Sequence, residues 1–179
     1  VSSRLMLMIA STCFVLIGLT SFLEIRSKYG LFVFIGLIFC WFGDYLGNFR
    51  MTVIAFLLGH VGFILAFMFR EVSRIRCLKA LPVVLVAGGI IWYWLYPHIP
   101  QTEWLFIIGY IAIISAMVVF AFGTQPKCLI IILAAVLFYI SDIFVARWRF
   151  VDTSSVNAFF CYPLYYTSCI LFAFSNRKA

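Results

Sequence analysis

Residues 103–122 read EWLFIIGYIAIISAMVVFAF, a stretch whose only charged residue is Glu103 at its start. An α-helix rises about 1.5 Å per residue, so roughly 20 mainly apolar residues cross the hydrocarbon core of a bilayer. No proline interrupts the stretch, and isoleucine, valine and phenylalanine make up much of it. The stretch therefore predicts a transmembrane helix.

Six further stretches have the same apolar character, and only short breaks separate them. The seven predicted spans are Leu5–Leu23, Leu31–Asn48, Thr52–Phe69, Leu78–Tyr96, Glu103–Phe122, Cys128–Ala146 and Val156–Phe174. The breaks leave no room for an extramembrane domain, so we expect one transmembrane helical domain that covers residues 1–179. The predicted fold class is all-α, an integral membrane bundle of about seven helices.

The composition argues against a soluble protein. Of the 179 residues, 66% are hydrophobic and only 11% are charged, whereas soluble domains contain about 25% charged residues. The net charge of +7 could suggest a nucleic acid partner, but that interpretation needs a solvated basic surface. The basic residues instead stand singly or in short clusters between apolar stretches, so we expect a lipid bilayer and no nucleic acid as partner.

The distribution of Lys and Arg predicts how the chain crosses the membrane, because cytoplasmic loops carry an excess of these residues. Four basic residues lie on the side of the N-terminus: Arg4, Arg50, Arg147 and Arg149. Nine lie on the other side: Arg26, Lys28, Arg70, Arg74, Arg76, Lys79, Lys127, Arg177 and Lys178. We therefore expect a multi-pass protein of the cell (inner) membrane with a cytoplasmic C-terminus and an external N-terminus.

Two of the six acidic residues, Asp44 and Asp142, lie inside predicted spans, where ionisable residues are costly and usually functional. Both spans are predicted to run outward. Asp44 is thirteen residues past Leu31, and Asp142 is fourteen past Cys128, so the two carboxylates reach nearly equal depth in the outer third of the membrane. We expect the other four acids to be solvated: Glu24, Glu71, Glu103 and Asp152.

Further polar side chains are predicted to reach the same region. Asn48 follows Asp44 by four residues and is expected on the same helical face. Tyr139 precedes Asp142 by three residues and shares its face in the same way. His60 lies about two turns inside the third span. The last span carries a polar stripe at helical spacing: Tyr162, Tyr165, Tyr166 and Cys169.

Each of these features also has a purely structural interpretation. The two aspartates could serve only to hydrogen-bond helices together, and His60 could be an interhelical hydrogen-bonding residue. The tyrosines could form an aromatic belt at the membrane interface. Gly43 and Gly47 form a G-x-x-x-G spacing, which predicts close helix packing.

Metal and disulfide chemistry are weakly supported. The six cysteines form no C-x-x-C pair, and we expect them to pack as small apolar side chains. His60, Asp44 and Asp142 have the ligand count of a histidine–carboxylate metal site, but the chain contains no H-E-x-x-H spacing. We therefore predict no metal and no cofactor, and keep a metal-dependent lipid amidase or esterase as an alternative.

Four short segments resemble the YhhN family of multi-pass membrane proteins, which includes the lysoplasmalogenases. These segments are Leu37–Asp44, Phe56–Phe69, Ala134–Asp142 and the run Pro163-Leu164-Tyr165-Tyr166, and their order and spacing match over nearly the whole chain. The chain departs from the family at Cys169, where members often carry Gln. The family is usually interpreted as eight helices with both ends cytoplasmic, which seven spans fit if a further helix precedes Val1.

The resemblance implies hydrolysis of the vinyl-ether bond of lysoplasmalogens, which yields a fatty aldehyde and a glycerophospho-alcohol. This reaction needs a protonated carboxylic acid that delivers a proton to carbon, and an ionised carboxylate that steadies the oxocarbenium ion and deprotonates water. Asp44 and Asp142 suit these roles, and which of them is the acid stays open. His60 and Tyr166 are then predicted as further catalytic residues that orient water or the substrate oxygen.

The lysophospholipid substrate also needs partners for its phosphate. Arg50 follows Asp44 by six residues, and Arg147 and Arg149 follow Asp142 by five and seven, so all three are expected at the outer rim of the site. Ordinary flanking charges are the alternative interpretation. The other residues predicted to bind substrate are Asn48, Tyr139, Tyr162 and Tyr165.

Two other classes of function stay open. A proton-coupled membrane transporter could also use paired carboxylates, although no two-half repeat is visible in the sequence. A receptor-like seven-helix protein is a third possibility, but its loops would be short for docking a partner.

Overall fold

The computed structural model describes residues 3–126 and 128–178 of the chain. Seven long helices make up nearly all of this part: α1 (Ser3–Ile25), α2 (Lys28–Tyr45), α3 (Phe49–Met68), α4 (Arg74–Leu95), α5 (Trp104–Gly123), α6 (Leu129–Phe150) and α7 (Val156–Ser175). Within the described residues, seven helices are long and apolar enough to cross a membrane. The predicted fold class, an all-α bundle of membrane-spanning helices, is confirmed.

Most helix ends differ from the predicted spans by one to four residues, and two of these differences lie near the site. Helix α2 ends at Tyr45, three residues before the predicted end of the second span, because the backbone becomes extended at Leu46. Asn48 then starts the next helix instead of ending this one, and its side chain accepts a hydrogen bond from the backbone N–H of Met51 at 3.3 Å. Helix α6 continues past the predicted end at Ala146 to Phe150.

The helices pack so that the first and the last are neighbours. Helix α2 packs along α3, and α6 packs along α7, while α1 contacts both α2 and α7. Helix α5 contacts α3, α4 and α6, which leaves α4 at the edge of the bundle. Much of the apolar surface of α4 is exposed, with Val83 at 71%, as expected for a helix that faces lipid.

Aromatic side chains fill the centre of the bundle. Phe63 stacks on Phe172 with a centroid separation of 4.3 Å, and Phe138 packs edge-on against Phe63 at 6.2 Å. All three side chains are fully buried. Helices α3, α6 and α7 are therefore held together by ring contacts. Phe138 also packs against His60 and Tyr165, so this aromatic cluster adjoins polar residues of the bundle.

Glycines bring α2 and α3 into close contact, but they are not the pair that the sequence analysis singled out. Gly47 lies beyond the end of α2, so the predicted G-x-x-x-G helix contact of Gly43 and Gly47 is wrong. The close approach is made by Gly36 of α2 and Gly62 of α3. A Cβ atom on Gly62 would lie 3.0 Å from the Gly36 Cα and 3.1 Å from its nitrogen, so the two backbones leave no space for a side chain.

We expect the Gly62→Val substitution to lower the free energy of unfolding by about 1–3 kcal/mol, because the added methyl groups would force α3 away from α2. Gly89→Val is the matched control, since a Cβ at Gly89 meets nothing within 4 Å. Thermal unfolding of both variants in detergent measures the difference. Equal stability of the two variants would contradict the close helix contact at Gly62.

Polar contacts fasten the C-terminal end of α7 to the turn between α1 and α2. Ser27 donates a hydrogen bond to the Asn176 Oδ1 at 2.6 Å, and the Asn176 Nδ2 donates to the backbone carbonyl of Ser21 at 2.9 Å. On the same side, the two-residue strands β1 (Glu71–Val72) and β2 (Thr124–Gln125) pair antiparallel and link the breaks before α4 and α6. These contacts fix the ends of the bundle opposite the site.

Candidate active site in a carboxylate-lined cavity

A cavity of about 270 Å³ lies in the half of the bundle that contains the N-terminal half of α3 and the C-terminal half of α6. All seven helices contribute to its wall, and most of the lining residues are apolar. Asp44 and Asp142 both line it, so the structure brings together the two aspartates that the sequence placed at equal depth.

Two hydroxyl groups converge on one oxygen of Asp44. Tyr165 of α7 donates to the Asp44 Oδ2 at 2.9 Å, and Ser11 of α1 makes a short hydrogen bond to the same oxygen. Residues 33 and 121 positions away in the chain therefore meet at this carboxyl. Such convergence of donors is what a carboxylate needs to remain ionised away from water.

Asp142 has a different set of neighbours. Tyr110 of α5 donates a hydrogen bond to the Asp142 Oδ2 at 2.6 Å. The Nε2 atom of His60 lies 3.6 Å from the same oxygen, which is too far for a hydrogen bond. The Asp142 side chain is 15% exposed and lines the cavity together with Tyr110, while His60 lies behind it.

His60 is fully buried, and its two ring nitrogens are in contrasting environments. The Nδ1 atom lies 2.5 Å from the backbone carbonyl oxygen of Phe56, one helical turn earlier. The Nε2 atom has no hydrogen-bond partner among the described residues. The ring packs edge-on against Phe138 at 4.6 Å and Tyr110 at 5.4 Å. His60 therefore lies next to Asp142 without lining the cavity, where it can act on a substrate only through the carboxyl group.

The tyrosines divide into those that reach the cavity and one that does not. Tyr139, Tyr162 and Tyr165 line it, as the sequence analysis expected. Tyr166, which was predicted to be catalytic, does not line it. The Tyr166 hydroxyl donates to the backbone carbonyl of Leu7 at 3.3 Å, because the next position on α7 turns the ring toward α1. Tyr165 takes the position that had been expected for Tyr166.

Asn48 is not part of the site. Its predicted position on the same helical face as Asp44 is wrong, because α2 ends before it and its exposed side chain caps α3. A glycine followed by an asparagine after an apolar run is itself a typical sign of a helix end. The sequence therefore contained the signal that separates Asn48 from Asp44.

The three arginines predicted at the rim lie outside the cavity lining, and each has a protein partner. Arg50 lies 3.7 Å from Glu103, an acid that had been expected in solvent but whose side chain is only 16% exposed. Arg147 bonds Asp152 at 2.9 Å and Asn157 at 3.1 Å. The Arg149 guanidinium lies 4.6 Å from the ring centroid of Phe49, which does line the cavity. None of the three contacts an aspartate of the site.

Asp152 organises the turn between α6 and α7. Hydrogen bonds from the Ser154 hydroxyl at 2.8 Å and the Ser154 backbone N–H at 2.9 Å, together with the nearby Arg147, lower the pKa of Asp152. A carboxyl group with a depressed pKa in the folded state stabilises the fold above its unfolded pKa of about 4. This contribution is lost as the pH falls through the folded pKa.

The Asp152→Asn variant is therefore expected to be less stable than the wild type at neutral pH, and the difference should shrink as the pH falls below about 4. Thermal unfolding of both proteins across that range measures the difference. A difference that stays constant with pH would show that the Asp152 charge does not contribute.

Sequence reasoning missed two residues that contact the aspartates directly, Ser11 and Tyr110. Both were visible as hydroxyl-bearing residues inside apolar spans. Neither has a neighbour in its own span that marks it, since the partner carboxyl in each case belongs to another helix. Only the rotation of α1 and α5 in the bundle distinguishes them from other hydroxyl-bearing residues in these spans, such as Ser115 and Thr12.

The fold and the site together define a multi-pass, all-α integral membrane protein with two carboxyl groups in one intramembrane cavity. The chain belongs to the YhhN family, whose sequence model matches residues 3–176, nearly the whole chain. No curated protein and no solved structure matches the chain. The resemblance carried by the four short segments is thus confirmed at the level of the family.

Proposed function

We propose that this protein is a membrane-embedded lipid hydrolase that cleaves the vinyl-ether bond of lysoplasmalogens. The observation that carries the proposal is the presence of Asp44 and Asp142 on the wall of one largely apolar cavity. Membership of the YhhN family, which includes lysoplasmalogenases, supports the same reaction. The products are a fatty aldehyde and a glycerophospho-alcohol.

The residues suit the chemistry of an enol ether. In the first step, a carboxylic acid gives its proton to the β-carbon of the vinyl ether, and the π electrons form the new C–H bond. The resulting oxocarbenium ion is stabilised by the second, ionised carboxylate. Water then adds to the cationic carbon and loses a proton to that carboxylate, which gives a hemiacetal.

The hemiacetal collapses by breaking its bond to the glycerol oxygen. The carboxylic acid formed in the previous step protonates this leaving oxygen, and the hemiacetal hydroxyl gives its proton to the first aspartate. Both carboxyl groups thus return to their starting states, and one water has been consumed. Two aspartates are sufficient for all of these proton transfers, as in the hydrolysis of sugar acetals.

The cavity wall favours a substrate with a hydrocarbon chain. Ile107, Ile111 and Ile114 of α5 line one side, and Leu95 of α4 lies next to them. If the alkenyl chain of the substrate binds along these residues, its vinyl-ether group can face the two aspartates, with room for the attacking water beside it. Apolar walls also keep the site at low dielectric, where the charge of a carboxylate acts most strongly on a developing cation.

The phosphate of the substrate is proposed to lie near the outer ends of α3 and α6. Arg149 is the best candidate there, because its guanidinium lies over Phe49 of the cavity wall. Arg50 and Arg147 lie near the same ends and could add long-range attraction for an anion. The nine-to-four split of basic residues supports a site in the outer half of the cell (inner) membrane and a cytoplasmic C-terminus.

Purified protein given a 1-alkenyl lysophospholipid is expected to release a fatty aldehyde. The matched controls are the 1-alkyl and 1-acyl analogues of equal chain length, which lack the carbon–carbon double bond that must accept the proton. Release from the alkenyl lipid alone supports the proposal. Release of a fatty acid from the acyl analogue would indicate an esterase, and proton-driven uptake without any product would indicate a transporter.

A further inference from the structure

We propose that His60 and Asp142 share the proton that starts the reaction, so that Asp142 is the acid and Asp44 is the ionised carboxylate. The proposed function leaves the two aspartates interchangeable, and this inference rests on it only for the catalytic consequence. The distribution of hydrogen-bond donors around the two carboxyl groups distinguishes them.

The contact with Phe56 determines where the hydrogen of His60 lies. A backbone carbonyl can only accept, so the Nδ1 atom 2.5 Å away from it must carry a hydrogen. A neutral imidazole carries a hydrogen on one nitrogen only. The Nε2 atom of a neutral His60 is therefore an acceptor, and it is buried without a hydrogen-bond partner.

That acceptor faces an oxygen of Asp142. The two atoms lie 3.6 Å apart, slightly beyond hydrogen-bond distance, and two unprotonated acceptors that face each other in a buried site repel unless one of them carries a proton. The proton can sit on Asp142, which then points it at His60, or on His60, which then forms an ion pair with Asp142. In both states the pair holds one transferable proton and is neutral overall.

Asp44 is in the opposite situation, because its neighbours supply protons instead of a lone pair. The Tyr165 hydroxyl donates to the Asp44 Oδ2, and Ser11 contacts the same oxygen. Ser11 has a single hydroxyl hydrogen, which it can donate to Asp44 or to the backbone carbonyl of Leu7 at 2.8 Å, so Tyr165 is the donor that sets the polarity at Asp44. No nitrogen base lies beside Asp44 among the contacts described, so this carboxyl is stabilised as an anion.

The catalytic consequence is that the two aspartates have different roles. Asp142 delivers the proton to the vinyl-ether carbon, and Asp44 stabilises the cation and then takes a proton from water. His60 is a positioning residue, since it acts on the substrate only through Asp142. When the hemiacetal collapses, its hydroxyl proton goes back to the pair of His60 and Asp142, which restores the starting state.

Nuclear magnetic resonance of isotope-labelled protein tests this assignment without any substrate. The chain contains three aspartates, Asp44, Asp142 and Asp152, and two histidines, His60 and His98. Carbon-13 in the aspartate carboxyl groups and nitrogen-15 in the imidazole rings therefore give few signals. The exposed His98 and the half-buried Asp152, which lies outside the cavity, serve as internal references. The Asp44→Asn, Asp142→Asn and Asp152→Asn variants assign the carboxyl signals.

At neutral pH we expect Asp44 to be a carboxylate, together with either a protonated Asp142 or a doubly protonated His60. A protonated Asp44 would overturn the assignment, as would two carboxylates beside a neutral His60. If the Asp142→Asn variant does not fold, the other two variants still assign the third signal by elimination. The result does not depend on whether aldehyde is released, so its failure is distinguishable from a failure of the proposed function.

The His60→Gln variant supplies the kinetic test. Its side-chain amide can donate a hydrogen toward Asp142, which favours the ionised carboxylate over the acid. We expect kcat at neutral pH to fall at least about tenfold with little change in KM, and to recover partly at lower pH. The other titratable groups that interact with Asp142 are Tyr110, Cys161 and Cys40, and Asp44 lines the same cavity. An equal loss at every pH would show that His60 is only structural.

Discussion

Replacing Asp142 or Asp44 with Asn should lower the release of aldehyde by about 10²–10⁴-fold, the contribution expected of a general acid or base. Asparagine has nearly the shape of aspartate and keeps one accepting oxygen, so Tyr110 and Tyr165 retain a hydrogen-bond partner. It can neither give up a carboxylic proton nor carry a negative charge. The loss should therefore appear in kcat, with much less change in KM.

The matched control is Glu24→Gln, which makes the same chemical change at an exposed carboxylate on the opposite side of the bundle. Glu24 pairs with Arg177 at 2.7 Å and contacts nothing in the cavity. This variant should retain the wild-type rate, and all three variants should retain the wild-type helix content by circular dichroism. Full activity of either aspartate variant in a folded protein would disprove the carboxylate mechanism.

Replacing Tyr165 with Phe should lower kcat by about 10- to 100-fold, because a hydrogen bond to a charged group contributes about 1.5–3 kcal/mol. The Tyr165 hydroxyl donates to Asp44 at 2.9 Å and helps to keep this carboxyl ionised in an apolar cavity. The ring itself packs against Phe138 at a centroid distance of 5.3 Å, and phenylalanine preserves that contact. The variant therefore removes one donor and little else.

Tyr166→Phe is the informative comparison, since it makes the same change at the adjacent position. The Tyr166 hydroxyl contacts Leu7 and Ser11 and reaches Asp44 only through Ser11. We expect its effect on kcat to be several-fold smaller than that of Tyr165→Phe. A larger loss in Tyr166→Phe would return Tyr166 to the role that the sequence analysis gave it and would contradict the donor arrangement at Asp44.

The membrane-spanning architecture was predictable because hydropathy is a local property. Seven apolar runs of bilayer length are visible without knowledge of their packing, and the structure contains a helix at each of them. The presence of Asp44 and Asp142 in one cavity was also accessible, because counting residues from the span boundaries gives depth directly. Depth restricts two residues to one layer of the membrane, where a cavity can join them.

The partners of the two aspartates were not predictable, because they depend on how each helix is rotated. Depth places Tyr165 and Tyr166 within about 1.5 Å of each other along the helix axis. Rotation by one residue nevertheless turns one hydroxyl to Asp44 and the other to Leu7. Ser11 and Tyr110 were missed for the same reason, since a single sequence does not reveal which face of α1 or α5 meets another helix.

The adjacency of α1 and α7 has a consequence for biosynthesis. The hydrogen bonds to the Asp44 carboxyl group come from Ser11 of α1 and from Tyr165 of α7. A chain is synthesised from its N-terminus, so α1 and α2 are inserted before α7. Until α7 packs against α1, Ser11 is available to hydrogen-bond Asp44 but Tyr165 is not. A nascent or truncated chain that lacks α7 therefore lacks a finished site, and the hydrogen-bonded arrangement at Asp44 forms only after α7 has been inserted.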